Sequence, residues 1–252
     1  MGHILVTPAI VLRRVAYGEA DLIVTLLGFH TGRVSALARG ARKSTRRFAG
    51  GMAPGLLGEA RLRDRPGAEL MGFESFEASG DRLGFSGDIA KAAHAAYAVE
   101  LCDRLCPPRQ PEKAVFTWLD EFLSRLDAGK VTAERLRVFE LGLLRALGLG
   151  PSLGRCAACG RDDLGDEEVL WRPDAGGVFC LGCTQAAERM SAGTRQALVR
   201  LDRASLADAE ALELDRSANA ACRRAVLALL REHVHGPLRS LDFIEKMSGN
   251  RP

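Results

Sequence analysis

Two groups of residues in this 252-residue chain carry recognisable chemistry. The first is Cys156-x2-Cys159 and Cys180-x2-Cys183, two close pairs separated by twenty residues. A two-residue gap lets both sulfurs of a pair face one ion, and four thiolates suit a tetrahedral zinc site. Four protein ligands leave no position for water, so this donor set reads as one structural Zn2+ rather than a catalytic metal. Iron–sulfur or redox use is the other chemistry the same thiolates support. The second group lies between Leu22 and Gly58. Arg33, Arg39, Arg42, Lys43, Arg46 and Arg47 fall there without one Asp or Glu among them.

Such a run neutralises phosphates, and each neutralised phosphate releases counterions without demanding a base sequence. Ser44 and Thr45 add hydroxyls that can meet phosphate oxygens. Arg13 and Arg14 extend the footprint, with Arg61 and Arg63 beyond them. The bland counterpart is a solubilising loop. The basic excess is local: residues 1–80 hold eleven Arg/Lys against seven Asp/Glu, whereas the whole chain is only +3. Few aromatics are available to stack bases there, so backbone electrostatics should dominate, with strong salt dependence.

The elements that must position these groups change character near residue 80. Short apolar stretches at Ala9–Leu12, Leu22–Leu27, Val34–Ala38, Leu56–Leu62 and Glu69–Phe73 predict five strands with Gly-rich or polar connections. A flat sheet of that size exposes too much edge, which favours closure into a small barrel. The basic cluster then sits on a loop after Gly40. Helical periodicity follows over Asp88–Leu105, Val115–Leu126 and Thr132–Leu147, and again over Ala186–Leu201, Ala218–Glu232 and Pro237–Met247. Within the cysteine segment, Leu170–Arg172 and Gly177–Phe179 are placed to form a ribbon. The helices before and after it are expected to pack as one bundle, with the cysteine segment inserted.

Other chemistries find little support. The sequence has no phosphate-loop motif, no nucleotide-binding Gly fingerprint and no G-x-S-x-G. Asp81, Asp88, Asp120 and Glu121 are the residues a magnesium-dependent nuclease would use, but they fit helix starts and polar faces better. Cys102, Cys106 and Cys222 read as buried thiols. With 47% hydrophobic and 27% charged residues, no signal-peptide pattern and no apolar run of membrane-spanning length, the chain is expected to be cytoplasmic.

The sequence resembles the bacterial recombination mediator family RecO. The likeness rests on Ile10-Val11-Leu12-Arg13 and on the run from Tyr17-Gly18-Glu19-Ala20-Asp21 to Leu26. It continues through Gly32-Arg33-Val34-Ser35 to Arg42-Lys43-Ser44, the double cysteine pair, and Gly236-Pro237-Leu238-Arg239-Ser240-Leu241. It implies an α+β chain: an N-terminal five-stranded OB-type β-barrel, then an α-helical domain with an inserted four-cysteine zinc-binding module. The expected boundaries are 1–80 for the barrel, 81–151 and 186–247 for the two parts of the helical domain, 152–185 for the zinc module and 248–252 for a frayed tail.

The resemblance also implies a non-enzymatic role in recombinational DNA repair, on the nucleoid. Members bind single- and double-stranded DNA, anneal complementary strands, and with RecR help load RecA onto DNA coated by single-strand-binding protein. The basic residues of the barrel would face DNA. Arg125, Arg135 and Arg223 would be candidates for the acidic, aromatic-ended tail of single-strand-binding protein. The competing class is a zinc-containing interaction adaptor whose basic surface meets acidic partners and touches DNA only incidentally.

Overall fold

The structure is a computed structural model that describes residues 2–44, 46–48, 51–65, 67–80, 85, 87–184 and 187–247. The expected tail at 248–252 lies outside these residues, as do Thr45 and Asp81. The chain divides into two compact units, residues 1–130 with 237–252, and residues 131–236.

Five strands open the first unit: β1 (His3–Tyr17), β2 (Asp21–Gly28), β3 (Gly32–Ala38), β4 (Leu57–Asp64) and β5 (Met71–Ala78). Their pairings run β1-β2-β3-β5-β4 and return to β1, so each strand has two neighbours. The narrowest seam is the parallel β3–β5 pairing, only Ala36 with Met71 and Leu37 with Gly72. The expected first strand, residues 9–12, is a fraction of the real one. β1 extends over fifteen residues because its first half pairs with β4 and its second half with β2. The strand pairs with both neighbours at Ala9 and Ile10, and the register against β2 shifts just beyond, between Val11 and Arg13. A β-bulge bends a strand and adds twist, which a closed sheet of five strands needs.

Alternation fills the barrel. Along β3, Val34, Ala36 and Ala38 are buried while Arg33, Ser35 and Leu37 are half-buried on the other face. The interior also takes Val11, Leu26, Leu62, Phe73 and Phe76. One wall breaks the alternation: Ile10, Leu12, Thr25 and Leu27 point outward yet are buried. The helix α1 (Ile89–Leu105) covers that wall, lying against β1 and β2. Asp88 starts α1 by accepting from the backbone N–H groups of Ala90 and Lys91.

Two further helices complete the first unit, α2 (Lys113–Ala128) and α6 (Arg239–Met247), both packed on α1. By compactness the helices on either side of the cysteine segment divide between the two units. Small side chains at Ala93, Ala95 and Ala98 let α1 be approached by the barrel and by two helices, so α1, α2 and α6 belong with the barrel. Gly32 shows how close that packing is. Its φ is +69°, and a Cβ there would meet the Gln110 carbonyl oxygen at 1.9 Å.

The second unit holds α3 (Ala133–Ala146), the cysteine segment, α4 (Ala192–Arg203) and α5 (Arg216–His233). α3 is buried on nearly every side, in line with its broad apolar stripe, and carries a buried ion pair, Arg137–Glu140 at 2.9 Å. The cysteine segment contains β6 (Val169–Arg172), β7 (Gly177–Phe179) and β8 (Glu188–Met190), in the order β7-β6-β8. The expected ribbon is thus a three-stranded sheet. Residues 188–190, expected to be helical, are its edge strand, and α4 begins only after Ser191 caps it. The sheet therefore continues past the expected module boundary at 185.

Candidate nucleic-acid interface and metal centre

The basic segment between β3 and β4 is a long connection that the barrel fixes at several points. Ala41, Phe48 and Met52 turn inward and join the barrel core, with Phe48 edge-on to Phe73 at 5.3 Å between ring centres. Burying one Phe side chain contributes about 1.5–3 kcal/mol, which offsets the backbone entropy of one or two residues and pins the loop at that point. The backbone is tied down as well. Gly40 N–H donates to Asp21 Oδ1 at 2.7 Å, Arg42 N–H to the Ala20 carbonyl at 3.0 Å, and Phe76 N–H to the Arg47 carbonyl at 2.9 Å.

Between these inward anchors the cationic side chains face solvent. Arg39, Arg42, Lys43, Arg46 and Arg47 are all exposed, and no carboxylate among the described residues forms an ion pair with any of them. Two are oriented by neutral partners. Arg47 donates to the Arg39 carbonyl at 2.5 Å and lies over the Phe48 ring at 5.3 Å; Arg42 donates to the Glu19 carbonyl at 3.1 Å. These bonds leave the charges unneutralised. Like charges held close without counter-charges repel, so the arrangement favours a polyanion.

Beside the loop, at the short β3–β5 seam, a cleft of about 230 Å³ is lined by Arg39, Arg47 and Arg65 over Leu37 and Met71. Arg65 was not among the residues expected at the interface. Its signal was position: it sits in the β4–β5 turn, which a β-barrel places near the end of β3. Arg63 beside it is neutralised by Glu74 at 2.7 Å.

Two of the arginines expected to contact DNA face a carboxylate of α1. Arg33 does not point with the basic loop. Its Nε donates to the Cys106 carbonyl at 2.8 Å and its NH1 lies 3.5 Å from Asp103, so it ties β3 to the end of α1. Arg13 is held by the same carboxylate at 3.2 Å, whereas Arg14 is exposed and unpaired among the described residues. The strand alternation that buries Val34 turns Arg33 onto the helix-covered side, a fact charge spacing alone cannot reveal.

Of the candidate tail-binding residues, Arg135 is buried and bound to Glu210 at 2.5 Å. Arg125 pairs with Glu121 one helical turn away at 2.8 Å. Arg223 is half-buried on α5. Arg125 lies in the first unit and the other two in the second.

In the second unit the four cysteines converge as their spacing predicts, with all four sulfurs within 4.8 Å of one another. Cys159 Sγ is 3.9 Å from Cys180 Sγ, and Cys180 Sγ is 3.4 Å from Cys183 Sγ. A disulfide needs about 2.05 Å. A tetrahedron with metal–sulfur bonds of about 2.3 Å has edges of about 3.8 Å, so these separations fit one shared ion.

The first pair turns at Gly160, whose N–H donates to the Cys156 carbonyl at 3.0 Å; the second closes with Cys183 N–H on the Cys180 carbonyl at 3.0 Å. The β6–β7 sheet brings the turns together, since Ala157 N–H donates to the Val178 carbonyl at 2.8 Å. Burial raises the pKa of the Cys156 thiol, but backbone N–H groups of Cys159, Cys180 and Ala158 outweigh it and bring the value to about 6. A metal ligand must be a thiolate, and this one is prepared to be one. Hydrogen bonding between Cys183 and the sulfurs of Cys180 and Cys159 pushes the Cys183 thiol up to about 12 in the absence of a metal, because adjacent sulfurs resist ionising together.

Comparison with known proteins decides the family. The model for the recombination protein O N-terminal region matches residues 1–80, and that for its C-terminal region matches residues 86–242. The chain belongs to the RecO family. Among its relatives is the DNA repair protein RecO of Anaeromyxobacter sp. (strain K), 40% identical over 94% of each chain. That of Myxococcus xanthus is 32% identical over 95% of this chain and 96% of its own. That of Geobacter sulfurreducens is 38% identical over 76% and 78%. This RecO-family chain is thus a DNA repair protein whose N-terminal region is an OB barrel. The family boundary near residue 80 follows the end of the barrel, whereas compactness divides the chain at residue 130, because α1 and α2 pack on that barrel. Among the described residues the cysteines are the one cluster able to hold a metal; Asp88 and Glu121, two of the acids a magnesium site would use, are occupied as a helix cap and an ion-pair partner. No described helix is long and apolar enough to cross a membrane.

Proposed function

We propose that this protein binds single- and double-stranded DNA across the basic loop and anneals complementary strands. As a recombination mediator it would act with RecR to load RecA onto DNA coated by single-strand-binding protein, in the cytoplasm on the nucleoid. The observation that carries this reading is the exposed, acid-free set Arg39, Arg42, Lys43, Arg46 and Arg47, anchored by Phe48 and Met52 but left without ion-pair partners among the described residues.

The physical mechanism is charge screening. Two strands repel through their phosphates, and a fixed basic surface lowers that repulsion so that complementary bases meet. Base pairing supplies the free energy, so no nucleotide hydrolysis and no catalytic residue is needed. Arg65 extends the same surface, and Arg14 is a further exposed cation on β1. Zn2+ is the ion the Cys156, Cys159, Cys180 and Cys183 set would hold, because soft thiolates in a closed tetrahedron select it. When bound, it would cross-link the segment between α3 and α4. The tail of single-strand-binding protein would meet the helical regions, where Arg223 and Arg125 keep some exposure and the buried Arg135 would act only through Glu210.

Reversing Arg42, Lys43, Arg46 and Arg47 together to Glu tests the reading. The expected result is an intact fold with DNA binding and annealing both largely lost at low salt. Binding that survives the reversal unchanged overturns it.

A further inference from the structure

The first unit contains a second basic concavity, a cleft of about 670 Å³ between β1 and β3 of the barrel and helices α1 and α6. Four guanidinium groups line it, from Arg13, Arg33, Arg104 and Arg239, against two carboxylates, Glu100 and Asp103. Both carboxylates are engaged. Glu100 caps α6, accepting from the backbone N–H groups of Arg239 at 3.2 Å and Ser240 at 2.9 Å and from the Ser240 hydroxyl.

Asp103, only 12% exposed, sits between Arg13 at 3.2 Å and Arg33 at 3.5 Å. Its Oδ1 accepts no aligned hydrogen bond, so the Arg33 interaction is Coulombic. A carboxylate that turns Oδ2 to Arg13 and Oδ1 to Arg33 occupies the place where a phosphate could present its own oxygens to the same two guanidiniums. Arg104 and Arg239 are exposed and have no side-chain partner among the described residues. The lining therefore keeps two positive charges in excess.

Along β3, Arg33 is six residues from Arg39, the first cation of the basic loop. At about 3.3 Å per residue the cleft and the loop lie about 20 Å apart, at opposite ends of one strand. We propose that this cleft is a second strand-binding track for the sugar–phosphate backbone of single-stranded nucleic acid, with Asp103 as an internal counter-ion that an incoming phosphate displaces. The proposal rests on the DNA-binding reading above and deepens it. Annealing brings two strands together, and a unit with two separate basic tracks holds one strand on each.

Strand stoichiometry tests this on the full-length protein. The probes are oligonucleotides of about four nucleotides, the short end of what one such barrel covers, whose few phosphates reach less than the separation of the two tracks. At low salt the wild type is expected to bind two. Arg104→Glu/Arg239→Glu, and the milder Arg104→Gln/Arg239→Gln, should bind one and should anneal at least tenfold more slowly. A wild type that binds a single strand, or a cleft variant that still binds two, overturns the proposal. So does a cleft that takes a glutamate-rich peptide while rejecting DNA. The loop reading fails separately, if reversing Arg42, Lys43, Arg46 and Arg47 leaves both strands bound. Asp103→Asn frees Arg13 and Arg33, and should steepen the dependence of log affinity on log salt by about 0.7 for each further phosphate neutralised. An unchanged slope removes Asp103 from the mechanism.

Discussion

The Nε of Arg33 donates to the backbone carbonyl of Cys106 at 2.8 Å, joining a barrel strand to the residue that caps α1. The return bond is present as well, Arg109 N–H to the Arg33 carbonyl at 2.8 Å, so strand and linker are laced from both sides. Arg33 belongs to the packing of the first unit before it belongs to any ligand.

Replacing Arg33 with Ala should therefore cost stability. The lost charge-assisted bond, the newly unpaired Cys106 carbonyl and the loss of one of the two guanidiniums facing Asp103 together predict about 1–3 kcal/mol. Urea unfolding followed by circular dichroism measures it. A midpoint equal to wild type, with DNA binding lost, would return Arg33 to the interface.

Phe48→Ala probes the loop from within. The residue is 4% exposed and packs on Phe73, so truncation is expected to cost about 3–5 kcal/mol through lost burial and the cavity left behind. DNA affinity should fall too, although no charge has changed, because the cations lose their anchor. Affinity held at wild-type level, measured by fluorescence anisotropy well below the unfolding midpoint, argues that the loop needs no fixed conformation.

Arg135→Ala and Arg125→Ala separate packing from surface charge. Arg135 is buried whereas its partner Glu210 is half exposed and stays solvated, so the loss is of buried packing and one charge-assisted bond, about 1–3 kcal/mol. Arg125 is part of an exposed i,i+4 pair whose removal should cost at most about 0.5 kcal/mol. Thermal melts of the two variants give the comparison, and equal shifts would contradict the burial argument.

Metal removal should act on one region. The expected content is one Zn2+ per chain, lost on treatment with a strong chelator and lost in Cys156→Ser. Hydrogen exchange should then rise over β6 and β7, whose backbone bonds the Cys pairs hold together, while the barrel strands stay protected. Full protection of β6 and β7 in metal-free, reduced protein would show that the thiolates do not stabilise that sheet.

Much of this was legible without coordinates. Five strands, the barrel, the helical periodicities and the convergence of Cys156, Cys159, Cys180 and Cys183 follow from local patterns: alternation, glycine turns, period 3.6 and ligand spacing. Local patterns missed the length of β1, since a strand that changes partner midway keeps no single alternation. They also missed β8, where three residues after a loop carry too little periodicity to distinguish strand from helix.

Charge spacing by itself marked where the cations are and that no acid lies among them in the chain. Only the tertiary structure decided which remain available. Asp103, seventy residues beyond Arg33 in sequence, is shared by Arg13 and Arg33, and Glu210 claims Arg135, whereas Phe48 and Met52 hold Arg42, Lys43, Arg46 and Arg47 clear of any described carboxylate. The reason is physical: which residue types are present is a property of the chain, but Coulomb energy depends on separations that exist only once the chain has folded.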